Sequence, residues 1–124
     1  LKELLMLTGK MTWVIPDGFM SSTRTENFVS HEAVCVLNLS GEDAKISIKI
    51  YFEDRDPIGG FTAVCKPERS MHIRLDKIEN SDGVRIPYDT PYSVLVESSV
   101  PIVAQHSRMD VSQAEMTLMT TIPY

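Results

Sequence analysis

Apolar and polar residues alternate along much of this chain with a period of two, the spacing that sends successive side chains to opposite faces of a strand. The pattern is plainest from Ala44 to Glu53, where Ile46, Ile48, Ile50 and Phe52 alternate with Lys45, Ser47, Lys49, Tyr51 and Glu53. It predicts a strand with one buried and one wet face. Over Arg69 to Leu75, Met71, Ile73 and Leu75 alternate in the same way with Ser70, His72 and Arg74. Two runs are apolar at nearly every position: Ala33 to Leu39, and Ile102-Val103-Ala104 after Pro101. Such runs predict strands covered on both faces. Shorter strands are expected at Thr12 to Pro16, Phe61 to Lys66, Tyr92 to Glu97 and Thr117 to Ile122.

Turn-forming residues separate these runs: Asp17-Gly18, Ser40 to Asp43, Asp54 to Gly60, Pro67-Glu68, Ser81-Asp82-Gly83 and Ser98-Ser99. Ser21 to Asn27 reads as a polar loop and Val84 to Pro91 as a proline-pinned extended segment. One helical turn is expected at Asp76 to Asn80, and Asp110 or Ser112 is placed to cap a short helix running through Glu115. The sum is about eight or nine short strands with little helix, the pattern of an all-β, single-domain antiparallel β-sandwich. Its expected limits are an N-terminal arm, residues 1–11, and the β-sandwich, residues 12–124. The arm opens with Leu1-Lys2-Glu3-Leu4-Leu5-Met6-Leu7, which Glu3 and the lack of a small-residue cleavage site set apart from a signal peptide. It is expected to pack on the domain or on a neighbour; the alternative is that these are upstream residues and Met11 is the start.

Composition narrows the class. A chain of 124 residues is long enough for one domain with a real core. Its net charge of −5 argues against a dedicated nucleic-acid binder, which carries a basic patch. No apolar run is long enough to span a bilayer. Cys35 and Cys65 lie in apolar runs without Cys-x-x-Cys spacing, and read as two reduced, buried thiols of a cytoplasmic protein.

The chemistry gathers where the strand beginning at Pro101 changes character, at Gln105-His106-Ser107-Arg108-Met109-Asp110. His106, Arg108 and Asp110 share one strand face, and buried polar groups need partners. The three histidines lack metal-ligand spacing, and Glu32 faces away from its neighbour His31, so no metal site is expected. There is no Gly-x-Ser-x-Gly elbow and no glycine-rich phosphate loop, and His106 and Ser107 face apart on a strand. No enzyme and no cofactor are expected. Anion or sugar binding remains: Arg74 and Arg108 suit a carboxylate or phosphate, Gln105, Asn38 and Asp89 suit hydroxyls, and Trp13 or Tyr88 suits a sugar face. The competing reading pairs Arg108 with Asp110 or Glu32 and makes the set a lock between strand ends or subunits.

Several segments together carry a family resemblance: Ser30 to Asn38, Tyr51 to Pro57, His72-Ile73-Arg74, Ile86 to Thr90, Pro101 to Asp110, and Gln113-Ala114-Glu115. In this order they resemble the sensory rhodopsin transducer family, from Thr12 to Tyr124. The resemblance implies a small soluble cytoplasmic β-sandwich that assembles as a homo-oligomer, a tetramer. It implies signal relay from a membrane photoreceptor or another signalling protein, and a small-molecule site for sugar-like metabolites; DNA binding has also been proposed within the family. The positions it carries over as ligand-binding are His31, Glu32, His72, Arg74, Asp89, Gln105, His106, Arg108 and Asp110. Two main readings follow: a non-enzymatic module that binds a sugar-like or anionic metabolite and relays it through an oligomer, or an interaction scaffold with no small ligand. A small enzyme acting on sugars, with Glu32 or Asp110 as acid or base, is a weaker third.

Overall fold

The computed structural model describes residues 8–113 and 115–124. Of the expected arm, residues 1–11, residues 1–7 lie outside the described residues, and Lys10 and Met11 belong to the first strand. Seven antiparallel strands follow: β1 (Lys10–Gly18), β2 (His31–Asn38), β3 (Ala44–Tyr51), β4 (Ile58–Cys65), β5 (Arg69–Arg74), β6 (Tyr92–Asp110) and β7 (Thr117–Thr121). The described residues contain no helix, and so no helix long and apolar enough to cross a membrane.

β6 is the spine. Its first half pairs with β3 and β1, and its second half with β2 and β7. Two four-stranded leaves therefore share one strand, in the orders β4-β3-β6-β1 and β5-β2-β6-β7, and the sheet curls over its own core. All-β antiparallel architecture is thus what the alternation predicts, with seven strands in place of eight or nine. The difference comes from Ser98-Ser99, which the sequence marks as a turn and which lies inside the 19-residue β6. Ser98 is buried opposite Ile46, and the Ser99 hydroxyl accepts the Lys45 amide at 2.9 Å. Both serines are absorbed into the ladder. Pro101 falls between Ser98, the last residue paired with β3, and Val103, the first paired with β2. Its missing N–H is harmless there.

Along β6 every second residue from Tyr92 to His106 is buried, an unbroken period-two stripe. It packs against Ile46, Ile48 and Ile50 of β3, Val34 and Val36 of β2, and Phe61, Ile73 and Leu75. Two expectations about burial change. Val103 and Leu37, in runs expected to be covered on both faces, are 36% and 39% exposed. Only one face of the β2–β6 pair meets the core. The polar stretch after Asp110 forms no helix among the described residues; Asp110 instead accepts the Ser112 amide at 2.7 Å. Asp76 to Asn80 makes turns, in which the amides of Lys77 and Ile78 both reach the Arg74 carbonyl.

The two leaves are also tied at their ends. Tyr124 and Val14 exchange backbone hydrogen bonds, and the Lys10 ammonium lies 4.3 Å from the Trp13 ring centre and 4.9 Å from that of Tyr124.

Candidate functional site

Antiparallel pairing sets Glu32 of β2 directly opposite Arg108 of β6, and Val34 opposite His106. The inward face of this pair therefore holds a carboxylate and an imidazole within the core, with a partly exposed guanidinium at its edge. Glu32 is fully buried and His106 is 2% exposed. The carboxylate accepts from His106 Nε2 at 2.7 Å, from Arg108 Nε at 3.0 Å and from the Phe19 amide at 2.7 Å. Because a carboxylate only accepts, the network assigns a proton to Nε2 of His106. Arg108 also donates to the Asp17 carbonyl at 3.1 Å, while His106 Nδ1 lies 3.4 Å from the Thr121 hydroxyl on β7. Burial pushes the Glu32 carboxyl up, but the bonds from His106 and Phe19 outweigh it and its pKa lies below the ordinary value. One buried carboxylate thus clasps β2, β6 and the segment after β1, and His106 extends the contact to β7.

Tyr92 closes the far side of this clasp. Gly18 lets its ring lie flat on the backbone; a Cβ at Gly18 would sit 2.3 Å from Tyr92 Cε1. The Tyr92 hydroxyl is buried beside Glu32 and makes no hydrogen bond of good geometry. Burial, then the Glu32 charge, drives its pKa far above the ordinary tyrosine range.

The outward face of the same leaf carries a different feature. Cys35 is the register partner of Gln105 on one side and His72 on the other, so the three side chains form a row across β6, β2 and β5. This row floors an open groove of about 410 Å³. Trp13, Leu37, Val103 and Ile122 give it apolar walls, and Ser70 adds a hydroxyl.

The nine expected ligand residues therefore separate. Glu32, His106 and Arg108 come together in the clasp; His72 and Gln105 line the groove. The remaining four have local partners. Arg74 makes a two-point fork with Asp76 at 2.7 and 2.9 Å. Asp89, held at φ 56°, accepts the Ser22 amide at 2.9 Å, and the Ser22 side chain and then this amide lower its carboxyl pKa. His31 Nδ1 is 3.1 Å from the Val29 carbonyl, and Asp110 is bonded to Ser112. Among the described residues, no three His, Cys, Asp or Glu side chains gather as a metal-binding set.

The sequence profile of the Anabaena sensory rhodopsin transducer family matches residues 8–124. The chain belongs to this family. Two solved structures share its fold. The crystal structure titled Thermotoga maritima 1070 is 42% identical, with a TM-score of 0.85 over 95% of this chain and 96% of that one. The Anabaena sensory rhodopsin transducer itself is 37% identical, with a TM-score of 0.73 over 86% of this chain and 93% of that one. No curated protein matches the chain.

In this transducer-family chain, two residues matter more than their sequence context suggests. The apolar run around Cys35 predicts a buried thiol, but Cys35 is half-exposed at the centre of the groove, and both cysteines are free. Asn38 is fully buried and binds the carbonyls of Glu42, Cys65 and Lys66 while accepting the amide and hydroxyl of Ser40. A polar residue closing an apolar β-run is its one sign in the sequence.

Proposed function

We propose that this chain is a non-enzymatic, ligand-responsive relay: a signalling module of the transducer family that takes a neutral, sugar-like metabolite in the outer groove and passes its occupancy to an oligomer contact. The observation that carries this reading is the Gln105–Cys35–His72 row beneath apolar walls. A sugar ring offers hydroxyls on its edge and an apolar face, and the groove offers both kinds of partner. The internal pairing of Arg74 with Asp76 and of Arg108 with Glu32 disfavours a strongly anionic ligand, because binding one would strip a salt bridge from a carboxylate. Ile122, which lines the groove, directly follows β7, so a bound molecule touches the segment that ends the sheet. A cytoplasmic setting fits two free thiols. The partner is a membrane receptor or another signalling protein, and the net charge of −5 disfavours nucleic acid.

The test is thermal unfolding against neutral sugars, sugar acids, phosphates and nucleotides. A ligand at about a hundred times its Kd adds roughly 2.7 kcal/mol. The expected result is a stabilising shift from a neutral sugar-like compound, abolished by Gln105→Ala and kept in Arg74→Ala. A flat response across the panel rejects the ligand and favours the scaffold, the second reading. That reading draws on the exposed apolar side chains Leu118, Ile122 and Tyr124.

A further inference from the structure

Charged and polar side chains on the leaf β5-β2-β6-β7 are mostly engaged by the protein itself. Arg74 is forked to Asp76, His106 and Arg108 are bonded to Glu32, and Asp110 holds the Ser112 amide. The outward row is different. Cys35 stands between its register partners, His72 on β5 and Gln105 on β6, and no hydrogen bond within the described residues engages the side chain of any of the three. They floor the groove of about 410 Å³, a volume in the range of small-molecule sites. Among the described residues, no Asp, Glu, Lys or Arg lines it. Leu37, Val103 and Ile122 wall it with exposed apolar surface, and the indole N–H of Trp13 already donates to the carbonyls of Lys10 and Ile102. An uncharged groove of this kind suits a neutral molecule with an apolar tail and one polar end.

The floor also has the parts of a reactive site. Residues directly opposite on antiparallel strands have Cβ atoms about 4.5–5.5 Å apart, so the Cys35 sulfur lies within side-chain reach of an imidazole on one side and an amide on the other. The thiolate is the reacting form of cysteine, and a neighbouring imidazole is the group that takes its proton. Cys65 has no such setting: it is buried, and its sulfur donates to the Arg69 carbonyl at 3.3 Å. Electrophiles that alkylate by displacement, and disulfides that exchange, expel an anion, and the groove has no cation to receive one. An electrophile that adds whole, with nothing leaving, is the better match.

We infer that Cys35 is a covalent acceptor site for neutral α,β-unsaturated carbonyl compounds that carry an alkyl tail, with His72 and Gln105 as its partners. His72 takes the thiol proton, and the sulfur electron pair forms an S–C bond to the β carbon. The C=C π pair moves onto the carbonyl oxygen as an enolate, which the Gln105 side-chain N–H stabilises. The proton held by His72 then passes to the α carbon and the carbonyl re-forms. One S–H bond and one C=C π bond are lost, one S–C bond and one C–H bond are gained, and no oxidant, reductant or leaving group takes part. The tail lies along Leu37, Val103 and Ile122. This goes beyond the reversible sugar-like ligand proposed above: it uses the same groove and does not depend on that ligand.

The test treats the full chain with trans-3-nonen-2-one, an enone with a pentyl tail, and with methyl vinyl ketone, which has none. Intact mass follows the adduct, peptide mapping locates it, and each rate is divided by that of the same reagent with glutathione. The expected result is a mass gain of one whole enone at Cys35, with Cys65 unmodified in the folded chain. The relative rate of the tailed enone should exceed that of methyl vinyl ketone by roughly tenfold, and urea should remove this preference. Gln105→Ala should slow enone addition roughly tenfold and leave iodoacetamide labelling of Cys35 unchanged, because iodoacetamide forms no enolate. His72→Ala should slow both reagents. Both replaced side chains are exposed, so circular dichroism and urea unfolding of the variants should match the natural chain. Equal relative rates for the two enones, an adduct first at Cys65, a Gln105→Ala variant that treats both reagents alike, or a His72→Ala variant as fast as the natural chain overturns the site. A neutral sugar that stabilises the chain alongside any of these results leaves the ligand reading standing and overturns the covalent site alone.

Discussion

Replacing Glu32 with Gln tests the clasp most directly. The change keeps the side chain's shape and removes its charge. In the native protein the carboxylate accepts three hydrogen bonds at 2.7 to 3.0 Å, from His106, Arg108 and Phe19. A glutamine has one oxygen, and its amide nitrogen must face one of those donors. Hydrogen bonds to a charged group contribute about 1.5–3 kcal/mol each, and removing one partner of a buried ion pair costs about 3–5 kcal/mol. The Arg108 side chain is 20% exposed, so water relieves part of its loss, which favours the lower end of that range. An expected loss of about 3 kcal/mol is a large share of the roughly 5–15 kcal/mol typical of a domain, and corresponds to a fall in Tm of roughly 10 °C. Trp13 is the only tryptophan and is 7% exposed, so urea unfolding followed by its fluorescence reads the change directly. Asp54→Asn, which breaks an exposed ion pair with Arg55, is the control and should leave stability nearly unchanged. If Glu32→Gln costs no more than Asp54→Asn, the buried charge cluster as described is wrong.

The same carboxylate sets a pH dependence. Its folded pKa lies below the ordinary glutamate value of 4.5, so its contribution is present above that pH and is lost as pH falls through the depressed folded value. The stability gap between the natural protein and Glu32→Gln should therefore be flat near neutrality and narrow in acid; a gap that widens in acid reverses the sign of the argument. Asn38→Ala leaves three backbone carbonyls and the Ser40 amide short of a partner, and should cost about 2–4 kcal/mol in a urea titration. The two thiols should differ in reactivity. Cys35 opens on the groove, whereas Cys65 is buried and burial raises its pKa, so a thiol reagent should label one cysteine per native chain quickly and the second only on unfolding. A groove ligand should slow the first labelling; equal rates for both thiols would contradict the placement of Cys35.

A period-two pattern needs no knowledge of partners, because the strand backbone alone sends alternate side chains to opposite faces. That is why β3 and β5 are legible in the chain itself, and with them the β class; the family is legible from its sequence motifs and not from the alternation. The expected turn at Ser98-Ser99 fails for the same reason: serine disfavours a strand only until a neighbouring strand offers its hydroxyl a backbone partner, which Lys45 does. The candidate site requires pairing. Glu32 and His106 are 74 residues apart, and nothing local states that β2 lies beside the second half of β6 in the register that joins them. The expected competition between a ligand set and a structural lock is divided by sheet face. Inward positions bring Glu32, His106 and Arg108 together, while outward positions place Gln105, Cys35 and His72 in a row toward solvent. A shift of one residue in register would exchange these roles, because it moves every side chain of the strand to the other face. That register is a property of strands meeting in space.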